Sequence, residues 1–206
     1  SPALFSSFYH ILSGFPCPSP ITSWSEKLAP GPDIAENNLM MTPISLYHTA
    51  SLDQKFWTIL AEQAVKRFPS QGKIAIKLHM GEPGNAYYLK APVVRPFVAF
   101  LQAKGFRPFL FDSPVAYPGP RRTAEKYLAS AAKHGFTEKE MGCPVVISDK
   151  SRAFKGSALT YGIVEELLRA DGILFLSHVK GHFCTGLGGA LKNQGMGGVD
   201  SKTKSA

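Results

Sequence analysis

Cysteine is scarce: Cys17, Cys143 and Cys184 stand far apart in 206 residues. Three such thiols build neither a disulfide framework nor a Cys-x-x-Cys metal knuckle. No iron–sulfur cluster is expected in this chain, because one normally takes about four thiolates. Long apolar runs are also missing, and none approaches the roughly 18 to 20 residues of a membrane span. The apolar stretch around Leu4 to Phe15 lacks the basic start of a signal peptide. A cytoplasmic protein without a membrane partner is therefore the expectation. Acidic residues are few, 15 against 23 Lys and Arg, and the net charge of +8 favours anionic partners. The Lys and Arg are dispersed, and arginine-rich runs and aromatic RNA-binding motifs are absent, so nucleic acid is not the expected partner.

What is present divides the chain in two. Residues 1–40 carry six prolines and four charged residues without a sustained period, which predicts an irregular N-terminal arm. Residues 41–206 read as a single α/β domain, opening on the strand-like Thr42 to Tyr47. Ser51 can cap a helix through about Phe68, with Leu52, Phe56, Ile59, Leu60 and Ala64 on one stripe. Strand patterns follow at Lys73 to His79, Pro108 to Asp112, Pro144 to Asp149 and Gly172 to His178. Helix patterns fall at about Ala91 to Lys104, Arg121 to His134 and Tyr161 to Ala170, with a short one at Gly188 to Asn193. The later strands are apolar along their length and each is separated from the next by enough chain for a crossover. The expected fold class is α/β, a mostly parallel sheet of about four to five strands covered by helices on both faces. Strand order does not follow from the sequence.

In such sheets ligands bind beyond the carboxyl ends of the strands, and polar residues collect at those ends here. The first strand ends in His79, with Glu82 and Asn85 behind it; the second ends in Asp112 and the third in Asp149. The fourth leads into Ser177, His178, Lys180 and His182. Turn formation and helix capping account for isolated aspartates. Imidazoles and carboxylates together, however, are the usual ligands of a divalent metal and the usual acid–base pair, so His79, Glu82, Asp112, His178 and His182 are the candidate metal ligands. Glycines 186, 188 and 189 let backbone N–H groups approach an anion at the start of the following helix, with Lys180 and Lys192 supplying charge. Gly186, Gly188 and Gly189 match no phosphate-loop or dinucleotide fingerprint. Arg95, Arg121 and Arg122 stand where arginines can reach an anion; Arg122 and Asn85 join Lys180 and the three glycines as the candidate cofactor-binding set. Cys184, between His182 and Lys192, reads either as a small buried residue or as an activated thiol.

The segments Ala75 to Asn85, Pro108 to Asp112, Gly135-Phe136, Pro144 to Asp149, Leu176 to His182 and Gly188 to Gly197 together resemble the family called domain of unknown function 362. The resemblance spans about Met41 to Gly197. Many longer relatives continue into a ferredoxin-like segment with iron–sulfur clusters; this chain shows no cysteine array, and the family's Gly-Met-Gly-Cys reads Gly195-Met196-Gly197-Gly198, as in a fragment or a reduced version. His182, Gly186, Gly188, Gly189 and Lys192 are also faintly similar to an arrangement in lactate racemase-type enzymes, which hold a nickel pincer nucleotide. The leading expectation is a crevice that binds a small anionic ligand or cofactor of unknown identity, with or without a divalent metal. In an enzyme, His178 or His182 would be the acid–base group and Lys192 the electrophilic or cofactor-attaching group. The alternatives are a redox-associated module docking a ferredoxin-type protein through its basic surface, and a stable remnant without activity.

Overall fold

The computed structural model of the chain describes residues 68–182 and 185–206, together with Thr58, Glu62 and Lys66. The arm over 1–40, the strand-like 42–47, Cys17 and Cys184 lie outside the described residues. Of the helix expected over 51–68, Thr58 and Glu62 are helical.

The alternating Lys-Ile-Ala-Ile-Lys forms β1 (Lys73–Lys77), buried after its first residue. Helix α1 (Ala91–Ala103) carries a proline in its first turn, where a missing N–H needs no partner, and buries Ala91, Val94, Phe97, Val98 and Leu101. Gly105, at φ +84, lets the chain turn out of that helix. Then come β2 (Arg107–Asp112) and α2 (Ala124–Lys133), whose N-cap Thr123 accepts the Lys126 N–H at 3.3 Å. A one-turn helix α3 (Glu138–Met141), capped by Thr137, had no counterpart in the sequence reading. It precedes β3 (Val145–Ile147).

The region expected as one helix over Tyr161 to Ala170 is different. Ser151–Lys155 forms β4 and Thr160–Val164 forms β5, an antiparallel hairpin, and only α4 (Glu165–Leu168) is helical. Thr160, Ile163 and Val164 are β-branched and gain a pairing partner in β4, so strand wins over helix. β6 (Gly172–Phe175) follows. The glycine-rich stretch forms a hairpin of β7 (Lys180–His182) and β8 (Gly186–Gly188). The chain ends with α5 (Ala190–Gly197), longer than the pattern foretold, and α6 (Ser201–Lys204).

The main sheet has four parallel strands in the order β3-β2-β1-β6. One face buries Ile74, Ile76, Leu78, Leu110 and Leu174 against Val94, Phe97 and Leu101 of α1, Tyr127 and Ala131 of α2, and Met141 of α3. The other buries Ala75, Phe109 and Phe111 against Val164 of the hairpin and Leu167 of α4. The expected α/β class holds, with helices on both faces. Among the described residues no helix is long and apolar enough to cross a membrane.

Candidate functional site

From β1 the sheet grows one way through β2 and β3, and β6 then pairs on the opposite side of β1. Crossovers leaving a sheet in opposite directions open a gap beyond its carboxyl edge, where ligands of α/β proteins bind. A crevice of about 550 Å³ opens at this edge, reaching from Lys77 and His79 after β1 to Asp112 and Ser113 after β2 and Ser177 and His178 after β6, and closed over by α5.

Its floor is an ion pair. Lys77 is 1% exposed, and its Nζ lies 2.8 Å from Asp112 Oδ1 and donates to Asn193 Oδ1 at 2.5 Å. Tyr127 of α2 donates its hydroxyl to Asp112 Oδ2 at 2.6 Å. Asn193 in turn donates to Ser177 Oγ at 2.9 Å and to the Leu176 carbonyl at 3.1 Å, fastening α5 across the ends of β1 and β6. Burial opposes both charges of the pair. It lowers the Lys77 pKa, which Asp112 only partly restores. Burial would raise Asp112, but the charge and hydrogen bond of Lys77, with the Tyr127 hydroxyl, hold it below its ordinary value. Burial, reinforced by the Asp112 charge, pushes the Tyr127 phenol well up. Gly197 covers this floor: a Cβ there would stand 1.9 Å from Lys77 Cε and 3.0 Å from Asp112 Oδ1, so a side chain would push the Lys77 ammonium from its place.

The wall beside it is built on Arg121, 7% exposed. Its guanidinium donates to Glu82 Oε2 at 2.9 Å, to His79 Nδ1 at 3.2 Å and to the Tyr117 hydroxyl. An accepting Nδ1 leaves the His79 proton on Nε2. Burial first, then the nearby Arg121 charge, lowers the His79 pKa to about 3, so this imidazole is neutral at ordinary pH. Arg121 Nε is buried and has no hydrogen-bond partner among the described residues.

The remaining wall and the mouth are cationic. Lys204 of α6 donates to Ser113 Oγ at 2.7 Å, and Lys180 of β7 donates to the Tyr87 carbonyl at 2.5 Å; both acceptors are neutral. Burial lowers the Lys204 pKa to about 8 against the opposing pull of Asp112. Lys180 is lowered by burial and then by the Lys192 and Arg121 charges. His178, lowered by burial and Lys180, leaves its buried Nδ1 without a partner among the described residues. His182 is lowered by slight desolvation and the Lys192 and Lys180 charges, and its Nδ1 accepts the Thr185 N–H at 3.3 Å.

Most residues singled out from the sequence line this crevice: His79, Glu82, Asn85, Asp112, His178, Lys180, His182, Gly188, Gly189 and Lys192. Two correct the expectation. Gly186 is exposed and does not line the crevice, because it pairs with His182 at the turn end of the β7–β8 hairpin, two residues beyond Gly188. Arg122 is exposed, and its neighbour Arg121 occupies the wall, because α2 starts only at Ala124 and leaves both arginines in the preceding loop. Asp149 points elsewhere, accepting from the Ser201 N–H and hydroxyl. Lys77, Tyr127, Asn193 and Lys204 were missed. A signal for Lys77 existed: a lysine near the end of a strand buried on both faces needs a carboxylate, and Asp112 ends the neighbouring strand.

The five candidate metal ligands share the crevice, but the carboxylates among them are already paired, Asp112 with Lys77 and Glu82 with Arg121. Among the described residues no three His, Cys, Asp or Glu side chains gather as a metal site would. A family model described as a domain of unknown function, DUF362, matches residues 74–206. Nothing matches among curated proteins or solved structures.

Proposed function

We propose, from the premise that the chain belongs to the DUF362 family, that its crevice binds a small anionic ligand. Charge carries this reading: among the described residues Lys77, Arg121, Lys180, Lys192 and Lys204 face the crevice against Asp112 and Glu82. Lys77 and Arg121 are matched by those two carboxylates, while Lys180 and Lys204 donate to neutral oxygens and are destabilised by burial. A crevice with this surplus gains most from an anion, whose charge relieves the mutual repulsion of its cations.

Within this reading each group has a defined part. The Lys77–Asp112 pair, with Asn193, fixes the floor. Arg121 and the lysines hold the anion, and neutral His79 offers an Nε2–H as a hydrogen-bond donor. A divalent metal is not part of the reading, since it would compete with an ammonium and a guanidinium for two carboxylates and add to the positive surplus.

Isothermal titration calorimetry of the full chain with inorganic pyrophosphate tests it. Saturable binding is expected, weakening as the Debye length shrinks toward about 3 Å at 1 M salt. Arg121→Met and Lys180→Met are each expected to weaken it by roughly tenfold or more, about 1.4 kcal/mol, and Arg122→Met to leave it unchanged. Absence of binding, or binding by folded Arg121→Met and Lys180→Met as tight as that of the unaltered chain, sinks the reading.

A further inference from the structure

Few of the described aromatic rings are exposed. Among the described residues the exposed large apolar side chains include two aromatics, Tyr87 at 59% and Tyr117 at 49%, and both line the cationic crevice. The other described Phe and Tyr rings are buried or half-buried. Chance placement on unrelated surface would scatter them.

Tyr87 is held through its backbone and Tyr117 through its ring tip. Asn85 Oδ1 accepts the Tyr87 N–H at 2.8 Å and Lys180 donates to the Tyr87 carbonyl at 2.5 Å, so the loop after β1 is pinned while the ring stays outside the core. That ring meets the His178 imidazole in a T-shaped contact, at 6.2 Å between centroids. Tyr117, in the loop after β2, is tethered through its hydroxyl to Arg121, whose guanidinium carbon lies 5.8 Å from the ring. An exposed π-face beside cations is the pattern that recognises a planar ring joined to a charged group: the ring stacks on the aromatic and the charge meets the cations. The crevice, at about 550 Å³, has the size of a small-molecule site.

We infer that the ligand is an aromatic anion, a conjugated ring bearing phosphate or carboxylate, with Tyr87 and Tyr117 as its ring-binding residues. This rests on the anion-binding reading above and adds the class of ligand. A nucleotide and an aromatic carboxylate share this chemistry, and the test separates them.

The full chain is titrated with two pairs of probes matched in charged group, ADP against inorganic pyrophosphate and benzoate against acetate. The expected result is an affinity gain for the ring-bearing member of at least one pair, roughly 5- to 150-fold, the effect of one stacked base. A gain in the first pair names a nucleotide, and in the second an aromatic acid. Tyr87→Ala together with Tyr117→Ala should erase the gain, and Tyr87→Phe with Tyr117→Phe should keep it. Reading the ratio within each pair cancels any general weakening of anion binding. Pyrophosphate binding with no gain in either pair overturns the aromatic inference and leaves the anion reading standing, whereas no binding by any probe overturns both. A gain that survives both alanine substitutions removes the tyrosines from the site. Tighter binding of a single-stranded oligothymidylate than of ADP would assign the crevice to nucleic acid and overturn the inference.

Discussion

At the scale of single residues, the chemistry of the crevice is a matter of which charges tolerate burial. His79 does so by staying neutral, with Nδ1 accepting from Arg121, and its pKa falls to about 3 through burial and that neighbouring charge. The ordinary value is about 6.5. Below 6.5 the unfolded chain therefore takes up a proton that the folded chain refuses, and stability falls as the pH drops from about 6.5 to about 3. One such group gives a slope of up to about 1.4 kcal/mol per pH unit. His178 and His182, also lowered, act with the same sign. Asp112, held below its ordinary value by Lys77 despite burial, adds its own loss only as the pH falls through the carboxylate range. Urea denaturation at closely spaced pH values should thus show acid destabilisation beginning well above pH 5, and His79→Gln should flatten the segment between about 6.5 and 4. A wild-type curve already flat there would show that His79 is not buried beside a cation. Residues of this kind were only half legible. Histidine at a strand end announces a site, but the choice of Arg121 over Arg122, or the burial of Lys77, depends on which neighbour the tertiary fold brings near.

Among the elements, the four parallel strands were legible because each is a short apolar run with a polar residue at its carboxyl end. The β4–β5 hairpin was not, because Thr160 to Val164 runs directly into the helical Glu165–Leu168 and the two patterns merge. The hairpin's strand character depends on contacts distant in sequence. Gly162 donates its N–H to Thr203 Oγ1 at 2.8 Å and accepts from the Asp200 N–H at 3.0 Å, and Val164 donates to the Gly198 carbonyl at 3.0 Å. Asp200 is the clasp. Its carboxylate caps α6 by accepting the Thr203 N–H at 2.7 Å and also accepts the Ser151 hydroxyl at 2.6 Å. A side chain at 162 would collide with it, since a Cβ there falls 2.1 Å from Asp200 Oδ2. The clasp matters to the crevice because α6 carries Lys204 to Ser113. Asp200→Ala should cost about 1 to 2 kcal/mol, the typical loss of an N-cap. Its signature should be faster amide exchange confined to residues 151–164 and 201–206, with α1 and α2 protected as before. Uniform loss of protection would mean that the hairpin and α6 are not a separate unit of stability, and no loss would mean that Asp200 does not clasp them.

For the whole molecule, a net charge of +8 could by itself attract anions anywhere on the surface. The fold argues for a focused effect. A parallel sheet sends its strand ends to one edge, and Lys77 at the end of β1, with residues that follow β2 and β6, brings five cationic side chains of the described residues into one crevice. The far edge carries exposed Lys73 at the start of β1 and exposed Lys104 at the end of α1, the helix that returns the chain from the carboxyl edge. These two sites permit a charge-matched comparison. Lys180→Met with Lys192→Met removes two positive charges from the crevice, and Lys73→Met with Lys104→Met removes two from the far edge. If general attraction governs binding, both doubles weaken pyrophosphate binding alike, and only modestly, because exposed charges more than about 10 Å from the ligand are screened at 0.1 M salt. If the crevice governs it, the first double loses about a hundredfold, two charge-assisted contacts at roughly tenfold each, and the second stays within about twofold of the native chain. The same titrations at rising ionic strength should bring out the difference further, since screening acts on long-range attraction before it reaches partly buried contacts. Equal losses in the two doubles would return the positive charge of this chain to the role of a solvated surface.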